Sequence, residues 1–327
     1  MKRLIFALTL ALVATPALAQ ANLTKLSVAY DGFSMTSGPM IYAEKEGIFK
    51  DFGLDTTPVF VAGGSALTQA VVGGSMDIAQ NGYTPALSAA VQGADIVIIG
   101  GISNKLPFQL VVKDAITDAA QLKGQSIAIS RFGSSTDTAA QLSLDHLKLR
   151  RDDVQILQLG GESNRLAAAL SGQIAGTMEQ QPDTAELTQH GFHILVDLTD
   201  LAGEYPNTSY VTNRTFLKAH PDVVKKFMMA MATAVHAYKT HPQIAIPLTQ
   251  KFLGVKDEAA TRAAYESYLK IYPDDLHPSL PGIALVLKSL AAKDPKVAAM
   301  KPEQFVDTSV LDALKRDGFF EKLAASH

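Results

Sequence analysis

The feature that most constrains the fold of this chain is an internal repeat with an offset of 98 to 99 residues. Each copy contains short apolar runs that alternate with helical stretches, which is the pattern of an α/β fold with a largely parallel sheet. Three segments recur in the same order: Ser27–Phe33 as Ser126–Phe132, Gly64–Ala79 as Glu162–Thr177, and Gly93–Ile98 as Gly191–Val196. The repeat predicts two similar α/β lobes.

Two strand-like runs carry the chain between the predicted lobes. Phe108–Asp114 leads into the second lobe, and Ser209–Phe216 returns from it. We expect lobe 1 to comprise residues 22–109 and 210–327, with the helical segment after residue 220 covering it, and lobe 2 to comprise residues 110–209. Two crossings form a natural hinge. Because ligands of open parallel sheets bind beyond the carboxyl ends of the strands, the strand-end loops of both lobes are expected to face one cleft.

The N-terminus has the pattern of a secretory signal. Two basic residues precede an apolar run over residues 4–13, and residues 17–19 read Ala-Leu-Ala, a small-residue cleavage site. We expect residues 1–19 to be a signal peptide that is cleaved after Ala19. This signal predicts a periplasmic protein.

Composition and motifs exclude several classes of function. The 327 residues include no cysteine, which rules out disulfides, thiolate metal sites and a thiol nucleophile. The formal net charge of −3 argues against nucleic acid as a partner. The hydrolase, zinc-protease, P-loop and dinucleotide-binding motifs are absent from the sequence. His190 and His193 are neighbours without a nearby carboxylate pair, so we expect no metal site, no cofactor and no catalytic residue.

The candidate ligand-binding residues lie in the strand-end loops, together with one further tyrosine. They combine helix-start amides, short hydroxyls, amides and aromatic rings, which suits one small polar molecule with an apolar or aromatic part. The candidates are Phe33, Ser34, Met35, Gly64, Ser65, Asn81, Tyr83, Ser103, Arg131, Phe132, Gly133, Ser134, Ser135, Thr136, Glu179, Gln180 and Tyr205.

Some of these residues have two interpretations. The stretch 133–136 offers free amides and three hydroxyls to an anion, but its hydroxyls are also ordinary helix caps. Arg131 either pairs with an acidic group of the ligand or bridges at the rim to a carboxylate of the other lobe. Glu179 either binds an amine or hydroxyl of the ligand or pairs with Arg131. Tyr83 and Tyr205 either sandwich a flat group or are half-buried tyrosines at a domain edge.

Several segments resemble the nitrate/sulfonate/taurine class (SsuA/THI5-like) of ABC-transporter periplasmic solute-binding proteins, a group that also includes pyrimidine-precursor binders. They are YAEKEGIFKDFGLD, AVVGGSMDIA, LKGQSIAISRFGSSTDT and AALSGQIAGTMEQQP. The resemblance implies the type II periplasmic-binding fold, in which two hinged lobes capture a solute and deliver it to an inner-membrane ABC permease. By position, the loops at 64–65, 81–83 and 133–136 match the ligand-contacting loops of that class. The loop at 179–182 departs from it, because it reads Glu-Gln-Gln-Pro where the class usually has an acidic residue next to proline.

We therefore expect a monomeric solute-binding protein for a small organic anion, either a sulfonate or an aromatic or aliphatic carboxylate. The alternatives are a pyrimidine-like or thiamine-precursor-like ligand, an amine ligand, or an enzyme on the same scaffold. The enzyme chemistry implied by the resemblance uses histidine and a cysteine-rich iron site. The predicted cleft loops contain neither residue.

Overall fold

The computed structural model describes residues 23–292 and 294–326, so the predicted signal peptide and its cleavage site lie outside the described residues. The strands are β1 (Thr24–Lys25), β2 (Val28–Tyr30), β3 (Leu54–Asp55), β4 (Val59–Phe60), β5 (Ile78–Gly82), β6 (Val97–Ser103), β7 (Gln109–Lys113), β8 (Ser126–Ile129), β9 (Gln155–Gln158), β10 (Gly176–Glu179), β11 (Phe192–Asp197) and β12 (Thr208–Thr212).

The α-helices are α1 (Gly38–Lys45), α2 (Ile48–Asp51), α3 (Gly64–Val72), α4 (Tyr83–Val91), α5 (Ser135–His146), α6 (Glu162–Leu170), α7 (Asp183–Thr188), α8 (Leu198–Leu201), α9 (Arg214–Ala219), α10 (Pro221–Thr240), α11 (Pro242–Leu253), α12 (Glu258–Leu269), α13 (Leu280–Ala291), α14 (Ser309–Arg316) and α15 (Phe319–Ala325). Short 3₁₀ helices span Met35–Ser37, Ala119–Leu122, Arg151–Asp153, Pro295–Ala299 and Pro302–Phe305. Among the described residues, no helix has the length and apolar character needed to cross a membrane.

The two copies of the repeat form two five-stranded sheets with the same strand order. The first sheet is ordered β4-β2-β5-β12-β6, and the second is ordered β9-β8-β10-β7-β11 when it is read in the matching direction. In each sheet the first three strands are parallel, whereas the fourth strand is antiparallel to both of its neighbours. The predicted α/β class with two similar units is confirmed.

The fourth strand of each sheet is exchanged between the copies. β7 follows β6 in the chain but joins the second sheet, and β12 follows β11 but joins the first sheet. The first predicted crossing run contains β7, whereas the second is a strand only as far as Thr212 and continues into α9. This exchange supports the proposed division of the chain, in which the first sheet and its helices form lobe 1 and the second sheet and its helices form lobe 2.

The helices after β12 pack against the two faces of the first sheet. One apolar cluster buries α10 against α1 and the first sheet, and it includes Phe227, Met228 and Met231. A second cluster joins α4 and α13 to the other face of that sheet and continues into lobe 2 through Phe108 and Leu110. Both faces of the first sheet are therefore buried under helices.

Candidate functional site

A cavity of about 30 Å³ lies between the lobes. Lobe 1 lines it with the ends of β2 and β5 and the starts of α3 and α4, and lobe 2 lines it with the ends of β8 and β10 and the starts of α5 and α6. The lining residues are Asp31, Gly32, Ser34, Thr36, Gly64, Gly82, Phe108, Ser130, Ser134, Ser135, Thr136, Gly161, Glu162, Gln180, Asn207 and Thr208. Ser34, Gly64, Ser134, Ser135, Thr136 and Gln180 come from the set that we proposed from the sequence.

Three hydroxyls at the start of α5 bond to one another, and we call Ser130, Ser134 and Thr136 the hydroxyl triad. The Ser130 and Ser134 hydroxyls are 2.9 Å apart, and both lie within 2.9 Å of the Thr136 hydroxyl. The backbone N–H of Ser130 also donates to Thr136 Oγ1 at 2.9 Å. Ser134 is the N-cap of α5, because its Oγ accepts from the amide of Asp137. The helix-capping interpretation therefore holds for this part of the stretch.

Ser135 lies outside the hydroxyl triad. Its side chain is half-buried, lines the cavity and makes no hydrogen bond within the described chain. It faces Gly82 of lobe 1, where an added Cβ would clash with Ser135 Oγ. The glycine therefore allows the start of α5 to approach the opposite lobe. A hydroxyl that is free to bind a ligand remains at this point.

Two carboxylates enter the cavity from opposite lobes. Asp31 follows β2, and its Oδ2 accepts from the amide of Gly82 at 3.3 Å. Glu162 begins α6, and its Oε2 accepts from the amide of Phe33 at 3.2 Å. Burial and the nearby charge of Glu162 raise the pKa of Asp31 to about 7. Carboxyl oxygens from both lobes therefore lie at this end of the cavity.

The Glu179 carboxylate has a structural partner. Arg165 donates to it through Nε at 3.1 Å and Nη2 at 2.9 Å, and Thr177 Oγ1 donates to it at 2.7 Å. Arg165 and Glu179 are both completely buried, and burial raises the pKa of Glu179 against the lowering effect of Arg165. Of the two interpretations of Glu179, pairing with Arg131 is not found, because Arg165 occupies the carboxylate. The Arg131 side chain lies at the surface, whereas Glu179 ends a fully buried strand.

Arg131 bridges the lobes, although its acceptor is not a carboxylate. Its Nε donates to the backbone carbonyl of Ala62 in lobe 1 at 2.8 Å, and its side chain packs beside Gly63. Together with the contact from Phe33 to Glu162, this hydrogen bond holds the lobes against each other. Of the two interpretations, the structure places Arg131 in the rim-bridging position.

We predict that Arg131→Ala weakens the binding of every solute alike, by no more than about tenfold, because it removes one exposed hydrogen bond of the closed form. Calorimetric titration with a charged and an uncharged solute of similar size measures this effect. A loss confined to anionic solutes would instead assign Arg131 to the ligand.

Several other candidates lie away from the cavity. The Tyr83 ring is buried with its hydroxyl against Gly101, and Tyr205 lines a separate groove between α4, α5, α8 and α13 with a volume of about 730 Å³. Gly133 also lines that groove, and its amide donates to Asp137. The two tyrosines therefore do not meet around a ligand at the cavity. Burial in one apolar cluster explains their positions.

The remaining candidates have partners within the protein or lie at its surface. Phe33 packs in an aromatic cluster with Tyr30, Phe60 and Phe252. Met35 is buried in the core of lobe 1. Phe132 is exposed, and the Arg151 guanidinium lies over its ring. Asn81 donates to Thr68, and Ser103 donates to the carbonyl of Lys105. Ser65 is half-buried in the first turn of α3. Gln180 accepts from the Tyr268 hydroxyl through Oε1 at 2.8 Å while lining the cavity.

Six polar residues that line the cavity are absent from the set proposed from the sequence, namely Asp31, Thr36, Ser130, Glu162, Asn207 and Thr208. The repeat relates three of them to one another or to a proposed residue. Asp31 aligns with Ser130 at an offset of 99, and Gly64 aligns with Glu162 at an offset of 98. Starting the first loop two residues earlier, directly after β2, would have included Asp31, and starting the loop after β8 one residue earlier would have included Ser130. Asn207 and Thr208 carried no such signal, because they enter the cavity from the returning hinge segment.

Comparison with known proteins supports the same fold. The NMT1/THI5 like family matches residues 34–245, which is well over half of the chain. The taurine-binding periplasmic protein of Escherichia coli (strain K12) is 26% identical over 231 residues, which cover 69% of this chain and 70% of that protein. A solved protein from Bordetella bronchiseptica RB50 superposes with a TM-score of 0.81 at 25% identity, covering 90% of this chain and 97% of that chain.

Two further solved structures share the fold at lower identity. The alkanesulfonate-binding protein SsuA from Xanthomonas axonopodis pv. citri, bound to MOPS, has a TM-score of 0.70 at 20% identity and covers 88% of this chain and 96% of that chain. The desulfurization enzyme DszB has a TM-score of 0.65 at 15% identity and covers 90% of this chain and 99% of that chain. The scaffold is therefore shared by a binding protein and an enzyme. The chain belongs to the NMT1/THI5-like family, and its fold is that of the periplasmic binding proteins.

Proposed function

We propose that the protein is the solute-binding component of an ABC importer, which captures a small organic acid between its lobes and delivers it to an inner-membrane permease. The observation that carries this proposal is the polar cavity at the strand ends of two repeated sheets. Residues of both lobes line it, so a ligand held there favours the closed arrangement. The taurine-binding relative supports both the function and a periplasmic location.

The lobes must separate before a solute can reach the cavity. At about 30 Å³ the cavity is far smaller than a typical ligand pocket of about 300–1,000 Å³. The hydrogen bonds between the lobes include those from Arg131 to Ala62, from Phe33 to Glu162 and from Tyr268 to Gln180, and each is weak enough to break on opening. The exchange of β7 and β12 provides two connections about which the lobes can rotate.

The acidic group of the solute has a binding position at the start of α5. The amides of Ser135 and Thr136 belong to the first helical turn, where the helix provides no acceptors, and both residues line the cavity. The positive end of the dipole of this 12-residue helix favours an anion there. A sulfonate or a carboxylate fits these donors.

A flat pyrimidine-like ligand has less support. Phe108 is the only aromatic residue among the described residues that line the cavity, and the two tyrosines proposed for stacking lie elsewhere. An amine has specific support from the two carboxylates of the cavity. A solute that carries both an amine and an acidic group could place the amine at these carboxylates and the acidic group at the start of α5.

We also propose that the protein binds its solute without transforming it. The relative that matches 69% of the chain is named for binding, and the cavity carboxylates contact backbone amides rather than a nucleophile. Mass spectrometry of the solute after prolonged incubation with the protein tests this point. Recovery of a changed molecule would favour the enzyme alternative.

A thermal-shift screen of sulfonates, carboxylates, amino acids and pyrimidines tests the proposed function. A solute at about 100 times its dissociation constant is expected to add about 2.7 kcal/mol to the free energy of unfolding. Native mass spectrometry of freshly purified protein would identify a co-purified solute directly. If no compound moves the melting temperature and no small molecule co-purifies, the solute-binding proposal fails.

A further inference from the structure

The groove between α4, α5, α8 and α13, which we call the side groove, is much larger than the cavity at the strand ends. Its volume of about 730 Å³ lies within the range of about 300–1,000 Å³ that is typical of small-molecule sites. The cavity at the strand ends measures about 30 Å³, and none of its lining residues lines the side groove. The side groove is therefore a separate place that has the room for a ligand.

The walls of the side groove are apolar and come from both lobes. Leu198 and Leu201 of α8 line it from lobe 2, and Leu285 and Leu290 of α13 line it from lobe 1. Leu201 is 49% exposed and Leu285 is 40% exposed. Two large aliphatic side chains that the protein leaves uncovered in one groove form an apolar surface that an occupant would remove from water.

Three hydroxyls converge on the buried side of the groove, and we call Thr84, Tyr205 and Ser289 the groove hydroxyls. Tyr205 is only 4% exposed, and its hydroxyl forms no hydrogen bond with the rest of the described chain. The Thr84 and Ser289 hydroxyls lie beside it, although neither meets it with the geometry of a hydrogen bond. A buried hydroxyl without a partner is costly, so this cluster is suited to a polar group that comes from outside the chain.

The charges of the side groove lie at its mouth or are already paired. Asp145 of α5 and Lys288 of α13 are exposed and have opposite signs. Asp137 is the one buried charge among the described lining residues, and it pairs with Arg151 and accepts from the amide of Gly133. Burying a charge without a partner is costly, so the interior of the groove favours an uncharged occupant.

We propose that the side groove is a second ligand site, which binds an uncharged molecule with an apolar body and one hydroxyl group, a phenol being the simplest kind. The apolar body packs between Leu201 and Leu285, and the hydroxyl of the ligand bonds to the groove hydroxyls. The inference does not depend on the proposed function, because it concerns other residues and a ligand of another chemical class.

A simpler explanation competes with this proposal. Because the walls of the side groove belong to different lobes, the groove could be only the clearance that the lobes need in order to rotate. Clearance of that kind requires neither exposed leucines nor converging hydroxyls. It would also give no saturable binding that depends on the identity of the wall residues.

The first test is titration of the full-length protein with the uncharged fluorescent probe N-phenyl-1-naphthylamine, whose emission rises in apolar surroundings. We expect a saturable rise in emission. Leu285→Glu places a charge on the apolar wall and is expected to weaken probe binding about tenfold or more. Leu170→Glu is the matched control, because Leu170 is 41% exposed on α6 and does not line the side groove. This control is expected to change the affinity by less than about twofold, and circular dichroism checks the fold of both variants.

The second test examines the groove hydroxyls by displacement of the same probe with 2-naphthol and with naphthalene. We expect 2-naphthol to bind about tenfold more tightly, because its hydroxyl gains hydrogen bonds inside the groove. In the double variant Tyr205→Phe with Ser289→Ala, which keeps the tyrosine ring, this preference is expected to fall to less than about threefold.

Each unfavourable outcome overturns a defined part of the inference. The absence of saturable binding overturns the second site, as does a loss of affinity that is equal in Leu285→Glu and Leu170→Glu. Full affinity in Leu285→Glu shows that the probe binds elsewhere and has the same consequence. A preference for 2-naphthol that survives in the double variant overturns the assignment to the groove hydroxyls. All of these results leave the proposed function in place.

Discussion

Replacing Arg165 with alanine is expected to lower the free energy of unfolding by about 3–5 kcal/mol, because the substitution leaves the Glu179 carboxylate buried without its charged partner. Both side chains are almost completely inaccessible, and Arg165 donates two hydrogen bonds to Glu179 and one to the Gly160 carbonyl. Water cannot replace these bonds at the end of a buried strand. Urea unfolding followed by circular dichroism measures the change.

The matched control removes both charges. An ion pair replaced by apolar side chains of similar volume often has little effect on stability. Arg165→Met combined with Glu179→Leu is therefore expected to recover most of the loss. If Arg165→Ala changed stability by less than about 1 kcal/mol, or if the double variant were no better than the single one, the pair would not have the assigned structural role. Glu179 would then return to the candidates for ligand binding.

The second large effect is expected at the start of α5, where adjacent hydroxyls have different roles. Thr136→Val keeps the shape of the side chain but removes the acceptor of the buried Ser130 amide, so it is expected to cost about 1–3 kcal/mol of stability. Ser135→Ala removes a hydroxyl without a protein partner, so it is expected to change stability by less than about 0.5 kcal/mol. The same Ser135 variant is expected to weaken solute binding about tenfold, or about 1.4 kcal/mol.

Urea unfolding and calorimetric titration of the two variants measure these opposite profiles. Ser130→Ala is a further control for Thr136→Val. This variant removes the Ser130 hydroxyl from the hydroxyl triad, but it keeps the Ser130 backbone amide and its Thr136 acceptor. A Ser135→Ala protein with unchanged affinity would show that the helix amides alone hold the acidic group. Loss of stability in Ser135→Ala with none in Thr136→Val would contradict the assignment of both hydroxyls.

The architecture was predictable because it depends on patterns that recur along the chain. The repeat indicated two similar units, and the structure forms two sheets of equal strand order from them. The stretch 133–136 stands out by its position after a strand, and its residues 134–136 line the cavity, whereas Gly133 lines the separate groove. Glycine and hydroxyl residues at a helix start are local signals, so the sequence contains them directly.

The exchanged strands were less accessible to sequence reasoning. The runs containing β7 and β12 were identified as crossings between the lobes, but their antiparallel pairing within the sheets was not predicted. A strand-like run of five residues is compatible with either direction of pairing. The direction follows from which sheet the strand joins, and contacts distant in sequence decide that.

Some features of the site follow from local sequence, and others depend on tertiary contacts. Local sequence determined that the chain forms two α/β units, that helices begin beside the strand ends, and that short hydroxyls stand at one of these starts. Only the tertiary structure decided that Glu179 pairs with Arg165, that Tyr205 lies outside the cavity, and that Asp31 meets Glu162. The role of a charge depends on its nearest partner and on its access to water. Neither property exists until segments far apart in the chain are packed together.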